Sequence, residues 1–318
     1  MRKFATLIGI ALIGVSPLAL AQTDYPSKRI EVLVGYPAGG GTDVLARVLA
    51  EEVRKSLGRE VIVVNHPGAS GTVAMSAIAA AKPDGYKLAV AASASVVTVP
   101  LLQDVPDLFD RTTALIAIGR LRNGFLVKSD SPYHNVKDLI EFARNNPGKV
   151  SIGVQGEGSS GALIIRAIAF QEKVDISIVP FTGEAPALTA LLGGHITASA
   201  ATVWTRQVDA GALRLIASMD EDRFDSHPNV ATMMEQGGYP TNSLIFYVVG
   251  PKGLSPTVTK RIVDAFAGAM LTPAYIDLVT KNEMRLRKPL AGEELERFLA
   301  DDRTKIGAIV AKLGLRKK

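Results

Sequence analysis

The sequence predicts an α/β chain of two successive units with a ligand cleft between them. Two observations predict the class: short β-branched runs alternate with segments of helical period, and the alternation occurs twice without a low-complexity linker. A third observation points to the chemistry. Several strand-to-helix turns are small, polar and rich in glycine, which is where open α/β sheets place ligands.

In the first unit, Ile30 to Tyr36 reads as a buried strand closed by Pro37 and three glycines. Thr42 to Leu57 reads as a helix, because Val44, Leu45, Val48, Leu49, Val53 and Leu57 share one face and Gly58 stands at the C-terminal cap position. Val61 to Asn65 is the next strand, His66 to Gly71 a loop, and Thr72 to Ala81 a helix of small residues. Lys82-Pro83-Asp84-Gly85 has turn chemistry and Tyr86 to Ala92 is a third strand, an order that implies a parallel, doubly covered sheet.

The second unit repeats the scheme. Strands are expected at Phe125 to Lys128, Val150 to Val154, Ile176 to Phe181, Ile196 to Thr202 and Arg214 to Met219. Helices are expected at Val136 to Asn145, Ser159 to Phe170 and Ala185 to Leu192, the first opened by Asn135 as N-cap. Ser243 to Val249 reads as a late strand. Pro256 then starts a helix at a tolerated position, and Glu293 to Leu313 is a long amphipathic helix.

Composition excludes several function classes. The chain has 318 residues, 47% hydrophobic and 21% charged, ample for a packed core. Its formal charge of +5 is scattered and not massed in a stripe, which argues against nucleic-acid binding. There is no cysteine, and the four histidines (His66, His134, His195, His227) show no metal-ligand spacing, so no metal site is expected. The N-terminus carries Arg2 and Lys3, an apolar run from Phe4 to Val15, and Ala19-Leu20-Ala21. This reads as a signal peptide over residues 1–21, implying export to a periplasm and a compartment poor in NAD and ATP. No cofactor is expected.

Three turns could carry chemistry. Tyr36-Pro37-Ala38-Gly39-Gly40-Gly41-Thr42-Asp43 exposes backbone N–H groups at a helix start, suited to a carboxylate or phosphate; equally, it is a tight turn with a capping Asp43. It is not a Walker A loop, since no Lys-Ser or Lys-Thr follows. Gln155-Gly156-Glu157-Gly158-Ser159-Ser160-Gly161 matches a dinucleotide fingerprint by spacing alone, and the acidic residue that such a site wants after the next strand is missing. Pro180 to Ala187 repeats the design with Thr182, Gly183, Glu184 and Ala185. Trp204, the sole tryptophan, follows a strand and is either a core residue or a cleft wall. An exported hydrolase or isomerase would need Ser159, or Asp43 with Glu184, as its acid–base machinery. No histidine lies in these loops and no nucleophile elbow is present.

Taken together, YPSK at Tyr25–Lys28, YPAGGGTD, NHPGASG, KPDGY, NPGK, GEGSSG, VPFTGEAPALTALLGG and the Ser255-Pro256 helix start resemble the Bug-type receptors, the periplasmic solute-binding proteins of tripartite tricarboxylate transporters. The resemblance runs over the whole chain after residue 21. It implies a two-lobed type II periplasmic binding protein of the Venus-flytrap kind with mostly parallel sheets, residues 22–123 with 250–318 forming one lobe and 124–249 the other. It implies a monomer that captures a small carboxylate and delivers it to membrane permease subunits, without catalysis; presentation to a sensory kinase is the alternative. The ligand-binding residues it implies are Tyr36, Ala38, Gly40, Thr42, Asp43, Ser93 and Ser95 on the first lobe. On the second they are Gln155, Ser159, Ser160, Thr182, Gly183, Glu184, Ala185 and Trp204.

The chain departs from that pattern at positions that bear on ligand identity. Val96 and Val99 stand where the family commonly has His and Asn, Ala201 where many members have Asp, and Phe181-Thr182 where a Tyr-Lys pair is frequent. The expected ligand is therefore a carboxylic acid with an apolar or aromatic body, such as an aromatic or aliphatic dicarboxylate, and not an amino acid or citrate.

Overall fold

A computed structural model describes residues 25–241, 244–284, 286 and 290–315. The expected leader, residues 1–21, and Ser243 of the late strand lie outside the described residues. Among the described residues the chain builds two five-stranded sheets.

The first sheet holds β1 (Ile30–Val34), β2 (Val61–Asn65), β3 (Lys87–Ala92), β4 (Thr112–Leu121) and β10 (Leu244–Pro251), in the order β2-β1-β3-β10-β4. β1 pairs in parallel with β2 and β3, while β10 runs antiparallel to both β3 and β4. The second sheet holds β5 (Gly124–Lys128), β6 (Val150–Val154), β7 (Ile176–Pro180), β8 (Ala198–Ala201) and β9 (Leu213–Ser218), in the order β7-β6-β8-β5-β9. Here β6 pairs in parallel with β7 and β8, and β5 antiparallel with β8 and β9. In each sheet one strand is reversed and four run the same way. The reversed strands, β10 and β5, are each the first to enter a sheet after the chain has crossed from the other.

Helices cover both sheets. Around the first lie α1 (Gly41–Leu57), α2 (Thr72–Ala79), the short α3 (Ala94–Val97) and α4 (Val99–Leu102), and later α10 (Pro256–Ala269), α11 (Pro273–Lys281) and α12 (Gly292–Lys312). Around the second lie α5 (Val136–Asn145), α6 (Ser160–Glu172), α7 (Glu184–Leu192), α8 (Thr205–Asp209) and α9 (Met233–Gly237). One face of the first sheet packs on α1 and α10 through Leu45, Leu49, Val53, Ile262 and Phe266. The other packs on α2 and α12 through Met75, Ile78, Leu295, Leu299 and Ile306. Burying both faces explains why β10 is apolar and buried along its whole length. Among the described residues no single helix is long and apolar enough to cross a membrane.

Two sequence expectations are corrected. Assigning residues 124–249 to the second lobe and 250–318 to the first cuts through β10, which lies in the first sheet between β3 and β4. The sequence reading also assigns no element to residues 112–121, where β4 forms. That strand ends Gly119-Arg120-Leu121, and an arginine in so buried a strand makes sense only with its acidic partners from the other crossing.

Those partners form the polar joint between the sheets. The chain passes from β4 to β5 through Arg122 and Asn123 and returns through the segment after β9. Arg120 Nη2 lies 2.6 Å from Asp220 Oδ1 and 3.3 Å from Asp222 Oδ2. Arg122 reaches Glu283 Oε2 at 3.1 Å, donates to the carbonyls of Asp222 and Arg223, and lies over the Phe224 ring. Glu283 in turn accepts from the backbone of Ser226 at 2.8 Å. Arg122, Asp220 and Glu283 are all buried.

A buried charge left alone is expensive, so Arg122→Met should cost about 3–5 kcal/mol of unfolding free energy by stranding Glu283 and Asp220. Urea titration followed by Trp204 fluorescence reads this; a loss under about 1 kcal/mol would show the joint to be well solvated.

Candidate ligand-binding site

The loop between β1 and α1 is shaped by its own residues. Gly39 takes φ +87°, a left-handed conformation that favours glycine. Gly40 is the N-cap of α1 in an extended conformation and, lacking a side chain, leaves the helix start without a side-chain cap. Asp43 fixes the loop from inside the helix: its Oδ2 accepts from Gly39 N at 3.0 Å and from Arg47 Nε at 3.1 Å, and its Oδ1 from Asn65 Nδ2 at 2.8 Å. Asn65 also donates to Tyr36 O at 3.0 Å. Burial alone would raise the Asp43 carboxyl, but Arg47, the Gly39 N–H and Asn65 outweigh it and hold the pKa below the usual range. Both of its oxygens are committed, so Asp43 organises the turn and does not face the cleft.

A second edge of the cleft is formed around Ser70. Tyr36 Oη donates to Ser70 O at 3.0 Å and Ser95 Oγ to the same carbonyl at 3.3 Å. Burial pushes the Tyr36 phenol up to about 12, with the charge of Glu184 adding to it, so it stays neutral. Ser93 is buried and accepts from Ile245 N at 3.2 Å, which commits it to the sheet edge. Val96 and Val99 are buried beside it, and the Thr72 and Thr98 hydroxyls are buried without a protein partner among the described residues.

The second unit meets these loops directly. Gly158 N donates to Ser70 Oγ at 3.4 Å, and a Cβ on Gly156 would stand 2.3 Å from that oxygen. A Cβ on Gly183 would stand 2.8 Å from Pro37 Cδ, and one on Gly41 would stand 2.6 Å from Thr202 Oγ1. Close approach of the two units therefore explains glycine at 156, 183 and 41. Ser159 is the N-cap of α6, its Oγ accepting from Ala162 N at 3.2 Å, and Ser160 Oγ accepts from Asn123 Nδ2 at 3.4 Å. Gln155 and Ala185 are half-buried at the rim, while Ala38 and Thr182 are exposed; Thr42 is buried in the first turn of α1.

Glu184 holds the centre of the junction. It opens α7, whose N-cap Gly183 gives no side-chain cap, and it is only 2% exposed. Its Oε1 accepts from Thr202 N at 2.9 Å, and Thr202 Oγ1 lies 2.6 and 2.8 Å from its two oxygens. The backbone N–H groups of Gly41, at the start of α1, and of Val203 also hold the carboxylate. Burial nonetheless pushes its pKa up, the hydrogen bonds offsetting only part of that cost.

Trp204 is not on the cleft. It is fully buried among Leu126, Leu188, Leu213 and Phe224, edge-on to Phe224 and His227 with ring centroids 4.6 and 5.3 Å away. Sequence reasoning missed Ser70 and Thr202 as members of the junction. The glycines at 156 and 41, which leave room for them, were the available signal. No group of three or more acidic or histidine side chains suited to a metal occurs among the described residues. A cavity of about 540 Å³ opens elsewhere, beside Arg120, Arg122 and Glu283 at the polar joint.

The model of the family described as "Tripartite tricarboxylate transporter family receptor" matches residues 45–315. A Cupriavidus necator relative, the UPF0065 protein in the gbd 5' region, is 34% identical over 99% of this chain and 98% of its own length. The solved periplasmic binding protein BugD superposes with a TM-score of 0.86 at 25% identity, covering 92% of this chain and all of that one. An R. palustris protein whose structure is described with adipate shares the fold at a TM-score of 0.84 and 24% identity, covering 93% of this chain and all of that one.

Because the Asp43 pKa is lowered on folding, its contribution to stability is complete above the ordinary carboxylate pKa and is lost as pH falls through the depressed folded value. The melting-temperature gap between the native protein and Asp43→Asn should therefore be constant near neutrality and shrink in acid. A gap independent of pH would contradict the role given to Asp43.

Proposed function

The chain belongs to the tripartite tricarboxylate transporter receptor family, and from that premise we propose that it captures a small organic carboxylate between its two units and presents it to membrane permease subunits. The proposed place of action is the periplasm, reached through the N-terminal leader. The observation that carries the proposal is that a carboxylate, that of Glu184, already rests in this junction on a hydroxyl and on backbone N–H groups from both units. The start of α1 supplies partial positive charge without a lysine or arginine, so an anion is held without the cost of desolvating a cation.

The rest of the cleft suits an apolar body. Val99 of the first unit faces Gly158 of the second, where a Cβ would stand 2.9 Å from its Cγ2, while Val96 and Ala201 pack into the cores of their own units. An ammonium has no acceptor at Glu184, whose oxygens are already engaged by Thr202, Val203 and Gly41. We therefore keep the ligand class as a diacid or aromatic acid, and exclude acidic amino acids and citrate. Catalysis is not proposed: Ser159 Oγ caps a helix, Asp43 is saturated by Arg47 and Asn65, and no histidine bonds to either among the described residues. Contacts from both units exist only in a closed form, so ligand shifts the population toward closure, the act a permease could read.

Calorimetric titration with C4–C8 straight-chain diacids, benzoate, phthalate, glutamate and citrate tests the class. Binding confined to the diacids, benzoate and phthalate is expected, and tight binding of glutamate or citrate alone would refute it. Gly40→Val should fold, since its Cβ would meet only Pro37 O at 3.8 Å, yet lose binding because the side chain stands before the α1 cradle. Unchanged affinity in that variant would show the loop to be only a turn.

A further inference from the structure

We propose that Glu184 is a tethered carboxylate that occupies the ligand's anchoring place, holds the two units together without ligand, and must leave before a ligand carboxylate can settle there. The inference deepens the functional reading above and rests on it.

Four donors converge on the Glu184 carboxylate: Thr202 N, Thr202 Oγ1, Val203 N and Gly41 N. A carboxylate offers about four acceptor positions, so this one is filled. Three of the donors come from the same unit as Glu184, and the fourth, Gly41, opens the seventeen-residue α1 of the other. That last bond makes the side chain a link between units. Around it the units touch sterically as well, at Gly183 against Pro37 and at Gly41 against Thr202. The helices α5, α6 and α10 are capped by their own Asn135, Ser159 and Ser255, whereas α1 begins on Gly40 with no side-chain cap. Glu184 thus does for α1, from across the junction, what a local side chain does elsewhere.

A second carboxylate cannot share this place. The Gly41 N–H cannot serve two acceptors well, and two anions a few ångströms apart in a buried site repel strongly. The charged and titratable neighbours do not relieve this: Asp43 is anionic and bound to Arg47, and the Tyr36 phenol is already committed to Ser70 O. Burial also pushes the Glu184 carboxyl up, so the closed form holds its charge at a cost that opening removes. The latch is therefore firm enough to close the units and weak enough to be replaced.

The chain has no cysteine, so Ser56→Cys and Lys149→Cys, both on exposed positions of different units, accept spin labels for a distance measurement without ligand. Glu184→Ala in that background should lengthen the distance and speed exchange of the Gly41 amide at least tenfold; no change in either would overturn the latch. Calorimetry with adipate should then show affinity rising about ten- to a hundredfold in Glu184→Ala, the size of one charged hydrogen-bond set released. Equal or weaker affinity would overturn the competition. Adipate binding to neither protein, with opening intact, would sink the carboxylate reading and keep the latch. Should Glu184→Ala fail to fold, Glu184→Gln preserves the shape, and the same two measurements should move in the same directions by less.

Discussion

The structure turns on a backbone requirement: the free N–H groups at the start of a helix need an acceptor once they are taken out of water. Both α1 and α7 begin on glycine, Gly40 and Gly183, with no side-chain cap, and both point into the junction between the sheets. Water can serve α1 only while the units are apart. When they meet, an acceptor must come from a ligand or from the opposite unit, and here Glu184 provides it. Glycine at 183 and at 41 follows from the closeness of the units there, since a Cβ would stand 2.8 Å from Pro37 Cδ and 2.6 Å from Thr202 Oγ1.

The joint on the Arg122 side complements this arrangement. It gathers Arg120, Arg122, Asp220, Asp222 and Glu283 where the chain crosses between sheets, with the guanidinium of Arg122 laid on Phe224. These ion pairs tie the crossings to Glu283, just past the end of α11. The junction at Glu184 relies on a few hydrogen bonds and on glycine-lined van der Waals contact. One contact region is strong and permanent, the other weaker and replaceable, which is what a hinged receptor requires.

Much of this was legible in the sequence because local chemistry decided it. The cap at Asn135, the proline start at Pro256 and the glycine turns before α1 and α7 all read correctly, since each depends on neighbours within a few residues. What could not be read depends on distant partners. Arg120 makes sense in β4 only beside Asp220, one hundred residues away, and β10 joins the first sheet through pairings with β3 and β4 that no local pattern encodes. Asp43 was expected to bind ligand, but its partners Arg47 and Asn65 turn it into a brace for the loop. Trp204 followed a strand as a cleft residue might, yet the core beneath β8 claims it. Glu184 was expected at the site from its turn alone, while its contacts depend on Thr202, eighteen positions on, and on Gly41 of the other unit.

The central claim is that backbone N–H groups at the α1 start anchor a ligand carboxylate. Amide resonances of the isotopically labelled protein test it most directly, followed during titration with adipate and with its uncharged dimethyl ester. The account predicts large shifts at Gly41 and Thr202 with the acid and none with the ester. Equal shifts with both compounds, or none at Gly41 with a bound acid, would contradict it.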